Sequence, residues 1–337
     1  MYKILFEQGD RHDATIYYVN IIKDALSCKG VNDVVVVDNI DNINSDDIVV
    51  VVNAKALVRI LLKNRKQKII CWFQGIMPEE INVFYKGMSK YLRILLWTIF
   101  EYIALKKNVF SIFVSERMKM HYENKYKIKI DDNYYIMPCF NQAIDRKSFF
   151  IPQKYSKPTF LYAGTLSEWQ CIDEMLSLYK EIENDIPDSK LFLFTSECEK
   201  AQLLVKKFAL NHVSIQYVPF DRLNEAIRQC KYGFIIRKDI EMNRVATPTK
   251  MNSYIANGII PIYTDCIDSF KQSLSSLQYQ IKMNYPLDYK SIVNFDKKEI
   301  VAEDVYAEYK EKVFSNYYSR ENHIENLRCV LYKVKLL

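Results

Sequence analysis

Short runs of β-branched and aromatic residues alternate with helix-length amphipathic segments along nearly the whole chain, and this alternation limits the fold more than any other feature. Lys3–Glu7, Val34–Val37, Ile48–Val52, Ile69–Phe73 and Phe110–Val114 read as strands, several of them apolar at every position. Unbroken apolar runs are expected of strands covered on both faces, the situation of parallel sheets flanked by helices. Ile16, Val19, Ile22 and Leu26 form one face of a helix that Asp13 can cap and Gly30 can end. The pattern lapses into a polar linker between Asn141 and Pro158, then restarts. Strands follow at Thr159–Ala163, Leu191–Phe194, Ser214–Val218, Tyr232–Ile236 and Ile259–Tyr263. Helices are expected between them at Asp173–Ile182, Glu199–Ala209, Asp221–Gln229 and Thr249–Asn257. The class is therefore α/β, with two Rossmann-like, doubly wound parallel-sheet domains facing a cleft. They are expected at 1–150 and 151–315. Residues 316–337, in a helical run from about Val305 to Val334, are expected to pack back on the first domain.

With 337 residues the chain can build two cores, and 49% apolar against 26% charged residues excludes a disordered chain. The formal charge of +6 is spread over both halves without a basic block interleaved with aromatics, so nucleic acid is not an expected partner. Cysteines 28, 71, 139, 171, 198, 230, 266 and 329 stand singly, without the short spacings of zinc or dithiol motifs, and suit a reducing, cytoplasmic setting. The apolar start Met1–Phe6 meets Glu7 too soon for a signal peptide. Tyr91 to Leu105 is apolar between Lys90 and Lys106–Lys107. It is shorter than the roughly 20 residues of a span and is interrupted by Arg93 and Glu101. Leu92, Leu95, Leu96, Ile99, Phe100 and Ile103 follow helical spacing and are expected to pack on a core, while the flanking lysines leave open peripheral contact of residues 88–107 with the inner face of a membrane.

The stretch from Tyr232 to Thr264 carries the most chemical information. An apolar strand ends at Arg237-Lys238, a loop follows, and a short helix begins near Thr247-Pro248, a good N-cap and a favoured first helical residue, and stops at Gly258. A helix N-terminus with free N–H groups favours anions. Arg237 at a strand's C-terminal end and Lys250 in the next helix's first turn can reach one crevice of a parallel sheet and hold a diphosphate. Both could equally serve in surface salt bridges.

N-R-V-A-T-P-T-K-M-N-S-Y-I-A-N-G-I-I-P-I, residues 243–262, resembles the donor-site segment of retaining glycosyltransferases of family 4, which have the GT-B fold. Phe160–Ser167 resembles the strand and glycine turn that open the C-terminal domain in that family. Trp72–Ile76, Ser111–Glu116 and Tyr135–Pro138 resemble segments of its N-terminal domain. The resemblance implies transfer of a sugar from a nucleotide-sugar donor to a glycan or lipid-linked acceptor, with retention, in the synthesis of capsule, O-antigen or exopolysaccharide. The donor is expected on Gly164, Thr165, Gln170, Lys238, Arg244, Thr247, Pro248, Thr249 and Ser253. Arg237 and Lys250 are expected to neutralise the leaving diphosphate, and Glu241 to hold sugar hydroxyls. No cofactor or metal is expected, because protein cations and a helix N-terminus can take the charge; Asp239-Ile240-Glu241 then reads as loop rather than metal motif. No protein nucleophile is needed if the diphosphate leaves from the face that the acceptor attacks.

Three positions depart from the family pattern. Ser253 stands where an acid grips the nucleotide ribose, Thr165 where an arginine stands, and Gln170 where a lysine stands. Arg237, Lys238, Arg244 and Lys250 are expected to replace the lost cations. On the acceptor side the candidates are Gln8, Gly9, His12, Asp13, Gln74 and Gly75. His12 and Asp13 read either as an acid/base pair or as a loop residue and helix cap. The lone Gly9 in the first strand-to-helix loop excludes a G-x-G-x-x-G dinucleotide motif there.

Overall fold

The apolar runs become strands of two six-stranded parallel sheets; Ile48–Val52, Ile69–Phe73 and Phe110–Val114 lie inside the first, whereas Val34–Val37, expected to be covered on both faces, forms its edge and leaves Val35 and Val36 exposed. A computed structural model describes residues 1–10, 13–27 and 33–337. The chain divides into two units, Met1–Asn141 with Val245–Thr247 and Ser319–Leu337, and Gln142–Arg244 with Pro248–Tyr318.

In the first unit the chain runs through β1 (Tyr2–Leu5), α1 (Asp13–Leu26), β2 (Val34–Val37), β3 (Ile48–Val51), α2 (Ala54–Lys63) and β4 (Lys68–Phe73). It continues through α3 (Met77–Phe84), α4 (Ser89–Lys107), β5 (Phe110–Phe113), α5 (Glu116–Tyr126) and β6 (Tyr134–Ile136). The strand order is β2-β1-β3-β4-β5-β6, with Ile4 beside both Val36 and Val50. The chain leaves β1 in one direction and returns past it in the other, so a crevice opens at the C-terminal ends of β1 and β3. Asn53 caps α2 at that edge, its side chain accepting from the Ala56 N–H at 2.8 Å.

The second unit runs through β7 (Thr159–Ala163), α6 (Ile172–Asp185), β8 (Lys190–Phe194), α7 (Cys198–Lys207), β9 (Val213–Gln216), α8 (Phe220–Ile227) and β10 (Tyr232–Ile235). After α9 (Glu241–Val245) come α10 (Thr249–Ala256), β11 (Ile260–Thr264), α11 (Asp268–Ser273), β12 (Ile281–Met283), α12 (Tyr289–Asp296) and α13 (Ala302–Tyr309). The order β12-β11-β10-β7-β8-β9 puts its switch point between β7 and β10. Phe160, Tyr232 and Phe234 stack on one face of these strands, with Tyr232 and Phe234 5.0 and 5.7 Å from Phe160. Lys154 is buried and its ammonium donates to the carbonyls of Ser148 (2.9 Å) and Arg228 (2.8 Å), while burial draws its pKa down to about 7.

Three further expectations are corrected. The C-terminal helical run is broken: α13 passes into a π turn at Lys310–Phe314, and α14 (Arg320–Lys333) starts anew, capped by the Ser319 side chain. α14 belongs to the first unit, where it packs on α1. Arg328 donates to the Asp24 carbonyl at 2.8 Å, and Tyr135 and His323 share a 2.7 Å hydrogen bond. Helix α10 begins at Thr249 as expected, but Thr247 is not its cap. Pro248 occupies the cap position in an extended conformation, and the Thr247 hydroxyl instead accepts from the Cys139 N–H at 2.9 Å within the first unit. Helix α4 has its faces exchanged: Leu92, Leu95, Leu96 and Ile99 are exposed, and only Phe100 and Ile103 of the expected face touch the core. The inward residues are Glu101 and Ala104, because Glu101 is drawn in by the polar partners described below. Among the described residues no helix is long and apolar enough to cross a membrane. Gly258, with φ +67°, ends α10 as expected; a Cβ there would lie 2.8 Å from Phe149.

Candidate functional site

In the second unit two loops diverge from the C-terminal ends of neighbouring strands, the Gly164–Gln170 loop after β7 and the Arg237 loop after β10. Gly164 has φ +145°, a backbone region that L side chains rarely adopt, and a Cβ there would meet the Lys250 ammonium at 2.9 Å. The loop is pinned at three points. The Tyr162 hydroxyl donates to the Thr165 carbonyl at 2.5 Å, Glu197 accepts from the Leu166 N–H at 2.6 Å, and Lys200 donates to the Leu166 carbonyl at 2.7 Å. The Leu166 N–H also holds the Glu197 carboxyl below the usual carboxylate range.

Arg237 is 2% exposed. Its guanidinium lies over the Trp169 ring, 4.5 Å from the centroid, and its Nε has no hydrogen-bond partner. Its backbone is fixed by Thr264, whose hydroxyl accepts from the Arg237 N–H and donates to the Arg237 carbonyl, each at 2.8 Å. Lys250 is half-buried, with its ammonium enclosed: Nζ donates to Gln170 Oε1 at 2.7 Å and lies 4.3 Å from the centre of the Tyr162 ring. Gln170 Oε1 also accepts from the Tyr162 hydroxyl at 3.3 Å. Burial, and then Arg237, hold the Lys250 pKa well below the ordinary lysine range. Among the described residues neither cation has a carboxylate within ion-pair distance. Two desolvated cations without a protein counter-ion are costly unless an anion joins them. Helix α10 adds the positive end of its dipole and the N–H groups of its first two residues, while the Met251 N–H is already taken by the Pro248 carbonyl at 3.1 Å.

The structure separates the four cations named from the sequence into two kinds. Arg237 and Lys250 converge, whereas Lys238 pairs with Glu174 of α6 at 2.7 Å and is exposed. Arg244 is taken up by its own loop, reaching Asp239 at 2.6 and 3.0 Å and Glu241 at 3.6 Å. The Asp239-Ile240-Glu241 carboxylates therefore face an arginine, and Glu241, expected to hold sugar hydroxyls, is engaged by it. Gln170 stands in the centre of the site, while Thr165 is exposed at its rim. The Ser253 hydroxyl accepts from Gln142 Nε2 at 3.3 Å. Tyr162 and Glu174 were not foreseen; an aromatic in a buried strand and an acid in a helix's first turn look in sequence like core and cap.

In the first unit a cavity of about 410 Å³ opens at the β1–β3 switch point. Glu7, Asn53, Gln74 and Gly75 line it with Met77, Trp97 and Glu101. Arg59 closes one side, bound to both Glu7 oxygens at 2.8 and 2.7 Å. Gln74 is exposed and donates to the Val52 carbonyl at 3.1 Å. Gly75 admits the Glu80 carboxylate, which a Cβ would meet at 2.1 Å. Gln8 and Gly9 form an exposed 3-10 turn and do not line the cavity. Asp13 is the first residue of α1; His12, and with it the His12–Asp13 pairing, lies outside the described residues.

Beneath this cavity Glu101 is 1% exposed and accepts from the Met77 N–H (3.0 Å), Tyr126 (2.6 Å) and Lys125 (3.2 Å). Burial raises its carboxyl to about 7. Folding thus favours the protonated acid. The resulting stability is full below the unfolded carboxyl range and is lost as pH rises through about 7. Glu101→Gln should abolish this component, at most about 3 kcal/mol, so the loss of thermal stability between pH 5 and 8 should shrink. Parallel Tm-against-pH curves for the two proteins would contradict it.

No protein-family model and no curated protein matches the sequence. Solved structures do resemble it. A point-mutant TarM from S. aureus in complex with fondaparinux, α-GlcNAc-glycerol and UDP matches with a TM-score of 0.62 at 11% identity, over 85% of this chain and 56% of that one. The E. coli trehalose-6-phosphate protein bound to UDP-2-fluoro glucose gives 0.60 at 10% identity, over 95% and 78%. The pneumococcal O-GlcNAc transferase GtfA with UDP and GlcNAc gives 0.51 at 11%, over 88% and 57%. This chain thus spans little more than half the length of TarM and GtfA. What these similarities establish is the fold: the chain has the GT-B fold, with a six-stranded parallel sheet in each of its two units.

Proposed function

We propose that this chain is a glycosyltransferase that moves a sugar, of hexosyl type, from a nucleotide-sugar donor to a glycan or lipid-linked acceptor. The observation that carries the reading is the pair Arg237 and Lys250, two enclosed cations without a carboxylate partner among the described residues, at the β7–β10 switch point. A nucleoside diphosphate supplies the anion they lack, and its oxygens can also accept from the first-turn N–H groups of α10. The similar TarM, GtfA and E. coli structures carry UDP or a UDP-sugar, which supports this donor class.

On this reading bond cleavage puts negative charge on the departing diphosphate, and Arg237, Lys250 and the helix end stabilise it as it develops. These groups supply the positive charge that a divalent ion supplies elsewhere, so the reaction is read as metal-independent. Trp169 and Gln170 border the position of the sugar. The first-unit cavity, with Gln74 and Gly75 at its edge, is the proposed acceptor side. Retention of configuration, membership of glycosyltransferase family 4 and a role in capsule, O-antigen or exopolysaccharide synthesis complete the proposal, and they rest on the segment 243–262.

The test is release of nucleoside diphosphate from a panel of nucleotide sugars, with chelator present, with and without lipid-linked and soluble glycan acceptors. Acceptor-dependent release from one donor that persists in chelator is the expected result. Release without any acceptor would identify a hydrolase or epimerase instead, and donor binding without turnover a non-catalytic sugar-nucleotide binder.

A further inference from the structure

We propose that the outward face of the α3–α4 hairpin docks on an anionic lipid bilayer. Positions on a helix advance by 100° per residue, so Met88, Tyr91, Leu92, Leu95, Leu96, Ile99 and Tyr102 form one stripe about 140° wide along α4. All seven are exposed, Met88 by 83%, Leu92 by 62% and Leu95 by 56%. Val83, Phe84 and Tyr85 at the end of α3 extend the apolar surface around the turn and are exposed as well. Soluble surfaces rarely leave so many large apolar side chains contiguous.

Charge complementarity selects the occupant. Arg93 and Lys107 lie beside the stripe, Lys106 within it and Lys86 in the turn before it, and between Asn82 and Asn108 the single acidic residue, Glu101, is buried on the opposite face. Arg93 lies 4.9 Å from the Tyr85 ring and Lys90 5.3 Å from the Tyr91 ring, the pairing of cation and amphipathic aromatic that suits a headgroup layer. A second copy of this chain would set the same basic border against itself, whereas anionic headgroups neutralise it. The helix is not apolar enough to span, so it lies in the plane of the interface with its apolar side down.

The same hairpin lines the first-unit cavity with Met77, Trp97 and Glu101. Docking therefore holds that cavity about one helix diameter from the headgroups, on the far side of α4, and favours an acceptor anchored in the bilayer; this last step rests on the acceptor reading above, while the docking itself does not.

The experiment is co-sedimentation of the full chain with vesicles of equimolar phosphatidylcholine and phosphatidylglycerol, and with vesicles of phosphatidylcholine alone. The wild type should sediment with the anionic vesicles, less with the neutral ones, and less as salt rises. A variant carrying Leu92→Ser, Leu95→Ser and Ile99→Ser should lose at least about tenfold in vesicle partitioning, with its Tm and its nucleotide-sugar turnover on a soluble acceptor kept. Equal sedimentation of the two proteins overturns the proposal. So does a wild type that ignores vesicles but forms dimers that the triple variant does not, which would make the face a contact between copies. A wild type that neither binds vesicles nor self-associates overturns it too. None of these outcomes touches the donor site, which turnover on the soluble acceptor reports separately.

Discussion

Arg237→Met is expected to lower nucleotide-sugar turnover by roughly 10²- to 10³-fold, the effect of losing one preorganised charge donor at a developing anion. Its thermal stability should be unchanged or raised. In the free protein Arg237 is 2% exposed, its guanidinium lies over Trp169, and among the described residues no carboxylate is within ion-pair distance. A buried cation of this kind costs stability by its desolvation, and an apolar side chain of similar length relieves that cost. The combination separates a binding role from a structural one, because a side chain kept for folding would lower Tm when removed. Lys250→Met should act in the same direction on turnover, and the two substitutions should be less than additive, since both address one diphosphate and Arg237 already depresses the Lys250 pKa. Lys238→Met and Arg244→Met should have small effects, because those cations are paired with Glu174 and with Asp239 and Glu241. A loss on Arg244→Met as large as on Arg237→Met would displace the site toward the α9 loop.

The second large effect is expected at a glycine that touches no ligand. Gly233 lies in β10 beneath Tyr254 of α10, and a Cβ there would come within 2.5 Å of the ring carbons Cδ2 and Cε2. Tyr254 is fully buried, so the ring has no free direction in which to yield, and the helix must rise from the sheet. Gly233→Ala should therefore cost about 3 kcal/mol, the upper end of overpacking penalties. It should also weaken donor binding, since α10 carries Lys250 and the first-turn N–H groups. Gly9→Ala is the contrast: nothing lies within 4 Å of a Cβ at Gly9, and its stability should stay within about 0.5 kcal/mol of the parent. Urea unfolding of the two variants reads both results. A Gly233→Ala protein as stable as the parent would show that α10 does not sit on the sheet as described.

The strand–helix alternation was legible because strands buried on both faces need unbroken apolar runs, and Val49–Val52 and Leu191–Phe194 supply them. Segment 243–262 was legible for a related reason. A proline before a short helix and a glycine at its end mark a helix whose N-terminus is exposed to use, although the proline took the cap position itself. Other features lay beyond local pattern. The spacing of Leu92, Leu95, Leu96 and Ile99 defines a helical face but does not say what covers it. The direction of α4 was decided by Glu101, whose partners Tyr126 and Lys125 come from α5. Likewise Lys238 resembled Arg237 in sequence, and only the approach of Glu174 from α6 sets them apart. The first-unit cavity draws Glu7 from the loop after β1, Arg59 from α2 and Gln74 from the loop after β4, and of these only the Trp72–Ile76 segment carries a resemblance that could have marked it. Gln170, where the resembling family has a lysine, accepts from the Lys250 ammonium at 2.7 Å, so a cation reaches this place from α10.

On the proposed function Arg237 and Lys250 hold the diphosphate of a nucleotide-sugar donor. The most direct measurement is a calorimetric titration of the full chain with uridine, guanosine, adenosine and thymidine diphosphates, in chelator, repeated on Arg237→Met. Saturable one-to-one binding of one of these nucleotides, weakened at least about tenfold in the variant, is the predicted result. Binding of equal strength to both proteins, or none to the wild type at millimolar nucleotide, would contradict it.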